Sequence, residues 1–363
     1  MNILVNGRFF GRASTGVDRF ALETLKAIDQ LLIDNDDCVK GLTFEILVPP
    51  GVVPSITFAK ISFRSVGSCG GQRWEQTVLP WQIKQGQLLL SLCNTAPLML
   101  RRQVVVIHDA TTVRIPISYS KAFRTWYRFL MPALGKMARQ IMTVSEFSRQ
   151  EIARCFGIDI NKISVTHNGC EHVQRVAESP DILTRSNLSQ RPYVLAVSSM
   201  AAHKNFKLVL QALALLPNKQ FDVAIAGGAN AKVFGSAGQL DNNQVHWLGY
   251  VSDEELKTLY SKAMCFVFPS LYEGFGIPPL EAMTLGCPVL ASNAASIPEV
   301  CGDAARYFDP HDAQGLAEQL NRLATDSALR QTMSEKGLQR AAQFTWLDSA
   351  RKVVATCRKA SDD

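Results

Sequence analysis

The chain has 363 residues, 47% of them hydrophobic and 19% charged, with a formal net charge of +6. That core-rich balance excludes a disordered or low-complexity protein. No apolar run approaches the roughly 18 residues of a membrane-spanning helix; the greasiest stretch, 88–100, is broken by Ser91, Asn94 and Pro97.

Taken in chain order, short apolar runs alternate with helical patterns. The start, Met1-Asn2-Ile3-Leu4-Val5-Asn6-Gly7, lacks the basic and long apolar regions of a signal peptide and reads as a strand. Further strands are expected at 44–48, 104–107, 141–144 and 163–166, then at 194–197, 223–225, 245–248, 265–268 and 288–291. Helices are expected at 17–32, 145–155, 205–216, 253–263 and 278–285. Continuous β-branched runs of this length fit parallel strands covered on both faces, and their alternation with helices implies doubly wound α/β domains. The polar stretch between 171 and 192 carries Pro180 and Pro192 and no apolar period. The expected division is therefore a first domain over 1–175, a linker over 176–192 and a second domain over 193–344. A last helix over 345–363 crosses back to the first domain, with Thr345 as its N-cap and Asp348 facing its dipole.

Nine scattered cysteines form no C-x-x-C pair, which argues against a disulfide framework or zinc site and for reduced thiols in a cytoplasmic protein. The positive charge is local. Residues 1–180 hold 21 Lys and Arg against 14 Asp and Glu, and residues 101–139 hold eight against one, Asp109. This suggests an anionic partner for the first half.

The most informative segment is Glu273-Gly274-Phe275-Gly276-Ile277-Pro278-Pro279-Leu280-Glu281, which follows one strand and opens a helix. The two glycines permit close backbone approach to a ligand, a proline suits the first helical turn, and the helix N-terminus offers free N–H groups to a diphosphate. Two carboxylates beside a phosphate site are poor phosphate ligands but good acceptors for sugar and ribose hydroxyls. Lys204 precedes the helix at 205–216 and is the first choice of cation for a leaving diphosphate. His108-Asp109 closes a strand, where open α/β sheets place ligands; Asp109 either orients the imidazole or caps a turn. The small-residue loop from Gly11 to Gly16 is a second candidate anion cradle, although it is not G-x-G-x-x-G. Asp34-Asn35-Asp36 formally matches a metal-binding D-x-D, but it lies after a helix and reads as solvated surface.

Glu273 and Glu281 stand in the E-x7-E arrangement of the large retaining glycosyltransferase family, family 4, and at this point the chain resembles its mannosyltransferase-like branch. The resemblance extends over Gly16-Val17-Asp18-Arg19-Phe20, His108-Asp109, Val144-Ser145-Glu146-Phe147-Ser148, Asn168-Gly169, Lys204-Asn205, Leu248-Gly249-Tyr250-Val251 and Ser296-Ile297-Pro298-Glu299-Val300. It implies a GT-B fold, two Rossmann-like domains facing across a cleft. It also implies that Glu281 binds the donor ribose and that Glu273 meets the donor sugar beside Lys204 and His108. Gly274, Phe275, Gly276 and Ile277 then line the donor, and Gly249, Tyr250 and Val251 hold its base. Where many members carry an arginine near the lysine, this chain has Ser199 and His203. A histidine there would make activity pH-sensitive, and a flat kcat/KM between about pH 6 and 8 would remove that idea.

The activity so implied is metal-independent, retaining hexosyl transfer from a nucleotide sugar, with no cofactor. GDP-mannose is favoured over UDP-glucose. The acceptor is a saccharide or polyprenyl-diphosphate-linked oligosaccharide of bacterial surface polysaccharide assembly. Rival readings are a nucleotide-sugar epimerase and a non-catalytic sugar-nucleotide-binding protein. Finally, 119–141 reads as a two-sided helix kinked or split at Pro132. Phe123, Tyr127, Leu130, Leu134 and Ile141 fall on one side, and Lys121, Arg124, Arg128, Lys136 and Arg139 on the other. It is either a plain surface helix or a basic face for anionic lipid on the inner side of the cytoplasmic membrane.

Overall fold

The computed structural model describes residues 1–12, 15–197, 201–216, 219–227 and 244–362. The chain divides into two units, one of Met1–Gly169 with Thr345–Asp363 and the other of Cys170–Phe344.

The first unit is built on β1 (Asn2–Asn6), β2 (Thr43–Val48), β3 (Ser62–Ser65), β4 (Leu88–Ser91), β5 (Gln103–Val106), β6 (Gln140–Thr143) and β7 (Ile163–Val165). They form one parallel sheet in the order β3-β2-β1-β4-β5-β6-β7. Ile3, Leu4 and Val5 are fully buried, with Ile3 opposite Phe44 on one side and Leu88 on the other. Successive residues point to opposite faces, so their joint burial means that both faces of the sheet are covered, which is why these strands read as unbroken apolar runs. Two strands escaped the sequence reading. β3 is a Ser-Phe-Arg-Ser edge strand with no apolar run, and β4 is leucine-rich rather than β-branched, so composition alone does not mark it.

The helix Trp346–Asp362 closes this unit. Its start is capped by Thr345, whose hydroxyl oxygen accepts from the Asp348 N–H at 3.1 Å. Trp346 is fully buried against Phe20, and Arg139 donates to the Ala360 carbonyl at 2.6 Å. Arg351 reaches Asp36 at 3.1 Å, and Asp36 also accepts from the Cys38 N–H, so this carboxylate of the Asp34-Asn35-Asp36 run serves a turn and an ion pair.

The helix Lys121–Met137 is continuous through Pro132, so of the two expected effects of this proline the split does not occur. Leu130, Met131, Leu134 and Gly135 form its buried side. A Cβ at Gly135 would stand only 2.7 Å from Ile158 Cδ1, so a larger residue there would force Ile158 to shift. Ile141 does not extend the stripe; it lies in β6.

The second unit carries β8 (Tyr193–Val197), β9 (Asp222–Ala226), β10 (Val245–Gly249), β11 (Cys265–Phe268), β12 (Val289–Ser292) and β13 (Ala305–Phe308), all parallel in the order β10-β9-β8-β11-β12-β13. β13, Ala-Arg-Tyr-Phe, is the strand that the sequence did not announce. Residues 176–192, read as a linker, pack onto this unit. Ile182 is buried, the Ser179 N–H donates to Thr258 Oγ1 at 2.8 Å, and Arg185 pairs with Glu255 at 2.6 Å. Short polar segments carry no apolar period even when side chains from elsewhere tie them down.

All nine cysteines are free, and burial raises the thiol pKa of several; that of Cys170 is pushed up to about 12. Among the described residues, no helix is long and apolar enough to cross a membrane.

Candidate functional site

In the second sheet β8 stands beside β11, so the connections leaving them run in opposite directions. Ligands of open α/β sheets bind at such a switch point, outside the carboxyl ends of the strands. The loop after β8 brings Lys204, at the end of a short 3₁₀ turn, to this place, and the loop after β11 brings Glu273. Their side chains meet with Nζ 2.7 Å from Oε1, and they are only 19% and 13% exposed. The ammonium also lies 5.9 Å from the Phe268 ring centroid.

Both loops are held from behind. Asn205 takes a left-handed φ of 56° and donates from Nδ2 to the carbonyls of Pro269 (3.2 Å) and Pro310 (2.8 Å). The Leu271 N–H donates to the His203 carbonyl at 2.7 Å. Ser296 Oγ donates to the carbonyls of Glu273 (2.9 Å) and Phe275 (3.0 Å). Gly276, at φ 100°, caps the helix Ile277–Thr284, whose first turn contains proline. The phenyl ring of Phe275 turns into the core against Phe344, leaving its backbone to shape the loop.

Glu281 lies one turn into that helix and is buried. Its Oε1 is 2.9 Å from His172 Nε2, and its Oε2 is 3.4 Å from the Tyr260 hydroxyl. The structure thus gathers Lys204, Glu273, Gly274, Gly276, Ile277 and Glu281 around one loop and one helix start. Gly249, Tyr250 and Val251 fall at the end of β10, two strands from β8, with the Tyr250 side chain 91% exposed. Ser199 lies outside the described residues.

His108 and Gly16 belong to the first unit. His108 follows β5, packs edge-on against Phe20, and holds Nε2 2.9 Å from the Leu92 carbonyl. Burial lowers its pKa, so the neutral ring donates from Nε2 and keeps Nδ1 as an acceptor. Asp109 caps the following turn by accepting from the Thr111 N–H at 2.7 Å. Gly16 opens the helix Gly16–Ile33, where Asp18 accepts from the Thr15 N–H and from Arg12. The start of this helix therefore already faces a carboxylate of its own.

Several residues of these arrangements went unread in the sequence. His172 follows Asn168-Gly169 at no motif spacing, and Tyr260 reads as an ordinary helical core residue. Asn205 stood in a recognised Lys-Asn pair, but its left-handed backbone is a tertiary fact. In the first unit a fully buried Glu75 accepts from Asn6 (2.7 Å), Arg8 (3.1 Å) and Thr95 (3.0 Å) at the carboxyl ends of β1 and β4. Only the fold brings these four together.

The family model described as glycosyl transferases group 1 matches residues 181–340. The chain is 35% identical over 269 residues to O-antigen chain mannosyltransferase B of Escherichia coli, covering 71% of this chain and 70% of that one. It is 27% identical over 321 residues to O-antigen chain mannosyltransferase RfbU of Salmonella typhimurium, covering 85% and 87%. Among solved structures, Anabaena HepE in complex with UDP-glucose superposes with a TM-score of 0.71 at 18% identity, over 99% of this chain and 100% of that one. With two Rossmann-like sheets, a carboxylate pair spaced E-x7-E on the second, and these relatives, the chain belongs to the group 1 glycosyltransferases and resembles their mannosyltransferases.

Proposed function

We propose that the protein transfers a mannosyl group, with retention and without a metal ion, from GDP-mannose to a saccharide or lipid-linked oligosaccharide of bacterial surface polysaccharide assembly. The observation that carries this reading is the Lys204–Glu273 pair beside the start of the helix bearing Glu281. It supplies a cation and, because Pro278 and Pro279 carry no N–H, mainly the positive dipole end of the helix for a diphosphate, with a carboxylate on each side for sugar hydroxyls. The names of the relatives support mannose and an O-antigen setting.

In this reading the bond from the anomeric carbon to the diphosphate oxygen breaks as the acceptor oxygen attacks the same face. The acceptor proton passes to the departing phosphate oxygen. Lys204 and the Ile277–Thr284 helix start stabilise the charge gathering on the diphosphate. Glu273 accepts from donor-sugar hydroxyls, Glu281 from the ribose, and Gly249, Tyr250 and Val251 contact the base. His108 accepts a sugar hydroxyl at Nδ1, and His203 adds partial positive charge beside Lys204. Calorimetric titration in EDTA is expected to show GDP binding more tightly than UDP. Tighter UDP binding would reverse the donor assignment, and binding that appears only with a divalent ion would end the metal-independent reading.

The helix Lys121–Met137 supports peripheral attachment to an anionic membrane. Lys121, Arg124 and Arg128 share its outer side, where Phe129 is 60% exposed. Arg124→Glu with Arg128→Glu is expected to lower sedimentation with phosphatidylglycerol vesicles at least about tenfold, since each juxtamembrane cation contributes roughly 1 kcal/mol. Equal sedimentation of the variant and the wild type would remove the membrane role.

A further inference from the structure

We propose that His172 is a positioning residue for donor recognition: it sets the plane of the Glu281 carboxylate so that this group can accept from both ribose hydroxyls. The proposal rests on the reading of Glu281 as the ribose acceptor and assigns that site a part it lacked.

A glutamate carboxylate rotates in a broad, roughly two-fold torsion at χ3. Accepting two vicinal hydroxyls at once requires that the plane be fixed before the ligand arrives. Glu281 has a donor on each oxygen, His172 Nε2 at 2.9 Å from Oε1 and the Tyr260 hydroxyl at 3.4 Å from Oε2. The longer contact restrains little, so the imidazole sets the angle. A carboxylate offers about four acceptor sites, so one bond from His172 leaves capacity for a diol.

The imidazole is itself fixed. His172 is buried in the 3₁₀ turn Glu171–Gln174. Before it, Cys170 donates from its backbone N–H to the Phe344 carbonyl at 3.3 Å and from Sγ to the Ala341 carbonyl at 3.4 Å. After it, Lys257 Nζ binds the carbonyls of Gln174 (3.1 Å) and Val176 (2.7 Å). The backbone of the turn is clamped on both sides, and the buried ring is presented to Glu281 from that fixed base. His172 touches the reaction only through Glu281, so it should govern ribose selectivity and not the chemical step.

The test is calorimetric titration of the full-length wild type, His172→Leu and His172→Gln with GDP, 2′-deoxy-GDP, UDP and 2′-deoxy-UDP. The wild type should prefer the ribose form of the nucleotide it binds by about tenfold, the usual effect of one hydrogen bond to a charged group. His172→Leu should lose that preference by weakening only the ribose form. His172→Gln, whose amide N–H can reach Glu281, should restore it. A preference retained in the leucine variant, or equal weakening of ribose and deoxyribose forms, overturns the proposal. A wild type that binds nucleotide without preferring ribose overturns the reading of Glu281 itself, which is a separate failure. Should the leucine variant not fold, His172→Asn, whose shorter amide stops short of the carboxylate, gives the same comparison.

Discussion

Lys204→Met is expected to lower kcat by about 10²- to 10³-fold, the usual loss when one preorganised donor to a developing charge is removed. Nζ stands 2.7 Å from Glu273 Oε1 in a setting where both side chains are largely shielded, so no solvent ion can replace it at full strength. In the proposed reaction the charge on the bridging oxygen grows only as the glycosidic bond breaks, so KM for the donor should change far less than kcat. Lys204→Arg, which keeps the charge but not its compact geometry, should fall between wild type and the methionine variant. Steady-state kinetics with circular dichroism as a control for folding make the measurement. If a folded Lys204→Met variant kept kcat within about threefold of wild type, a change worth well under 1 kcal/mol, the lysine would have no part in leaving-group departure.

The largest loss of stability should follow Arg8→Met in the first unit. It strands the fully buried Glu75, whose Oε1 otherwise sits 3.1 Å from the guanidinium, with only Asn6 and Thr95 as neutral donors. Removing one member of a buried ion pair costs about 3 kcal/mol or more, because the remaining charge is uncompensated. Combining Arg8→Met with Glu75→Gln should recover much of that loss, since the second change removes the stranded charge. Urea denaturation of the single and double variants reads both effects. A single variant within about 1 kcal/mol of wild type would show that Asn6 and Thr95 suffice to hold the carboxylate.

The sequence by itself determined the two parallel α/β sheets and singled out the segment for which we propose the donor chemistry. Unbroken apolar strands and the glycines and prolines around Glu273 and Glu281 are local signals, set by burial on both faces and by backbone conformation. The tertiary structure alone decided which side chains meet. β3, β4 and β13 take their place from neighbours rather than from their own patterns, and residues 176–192 are anchored by Thr258 and Glu255 far along the chain. The partners of Glu281 and Glu75, His172 and Arg8 among them, come from segments 109 and 67 residues away. A hydrogen bond across such a separation leaves no period in the sequence, because its geometry exists only after the sheet has closed.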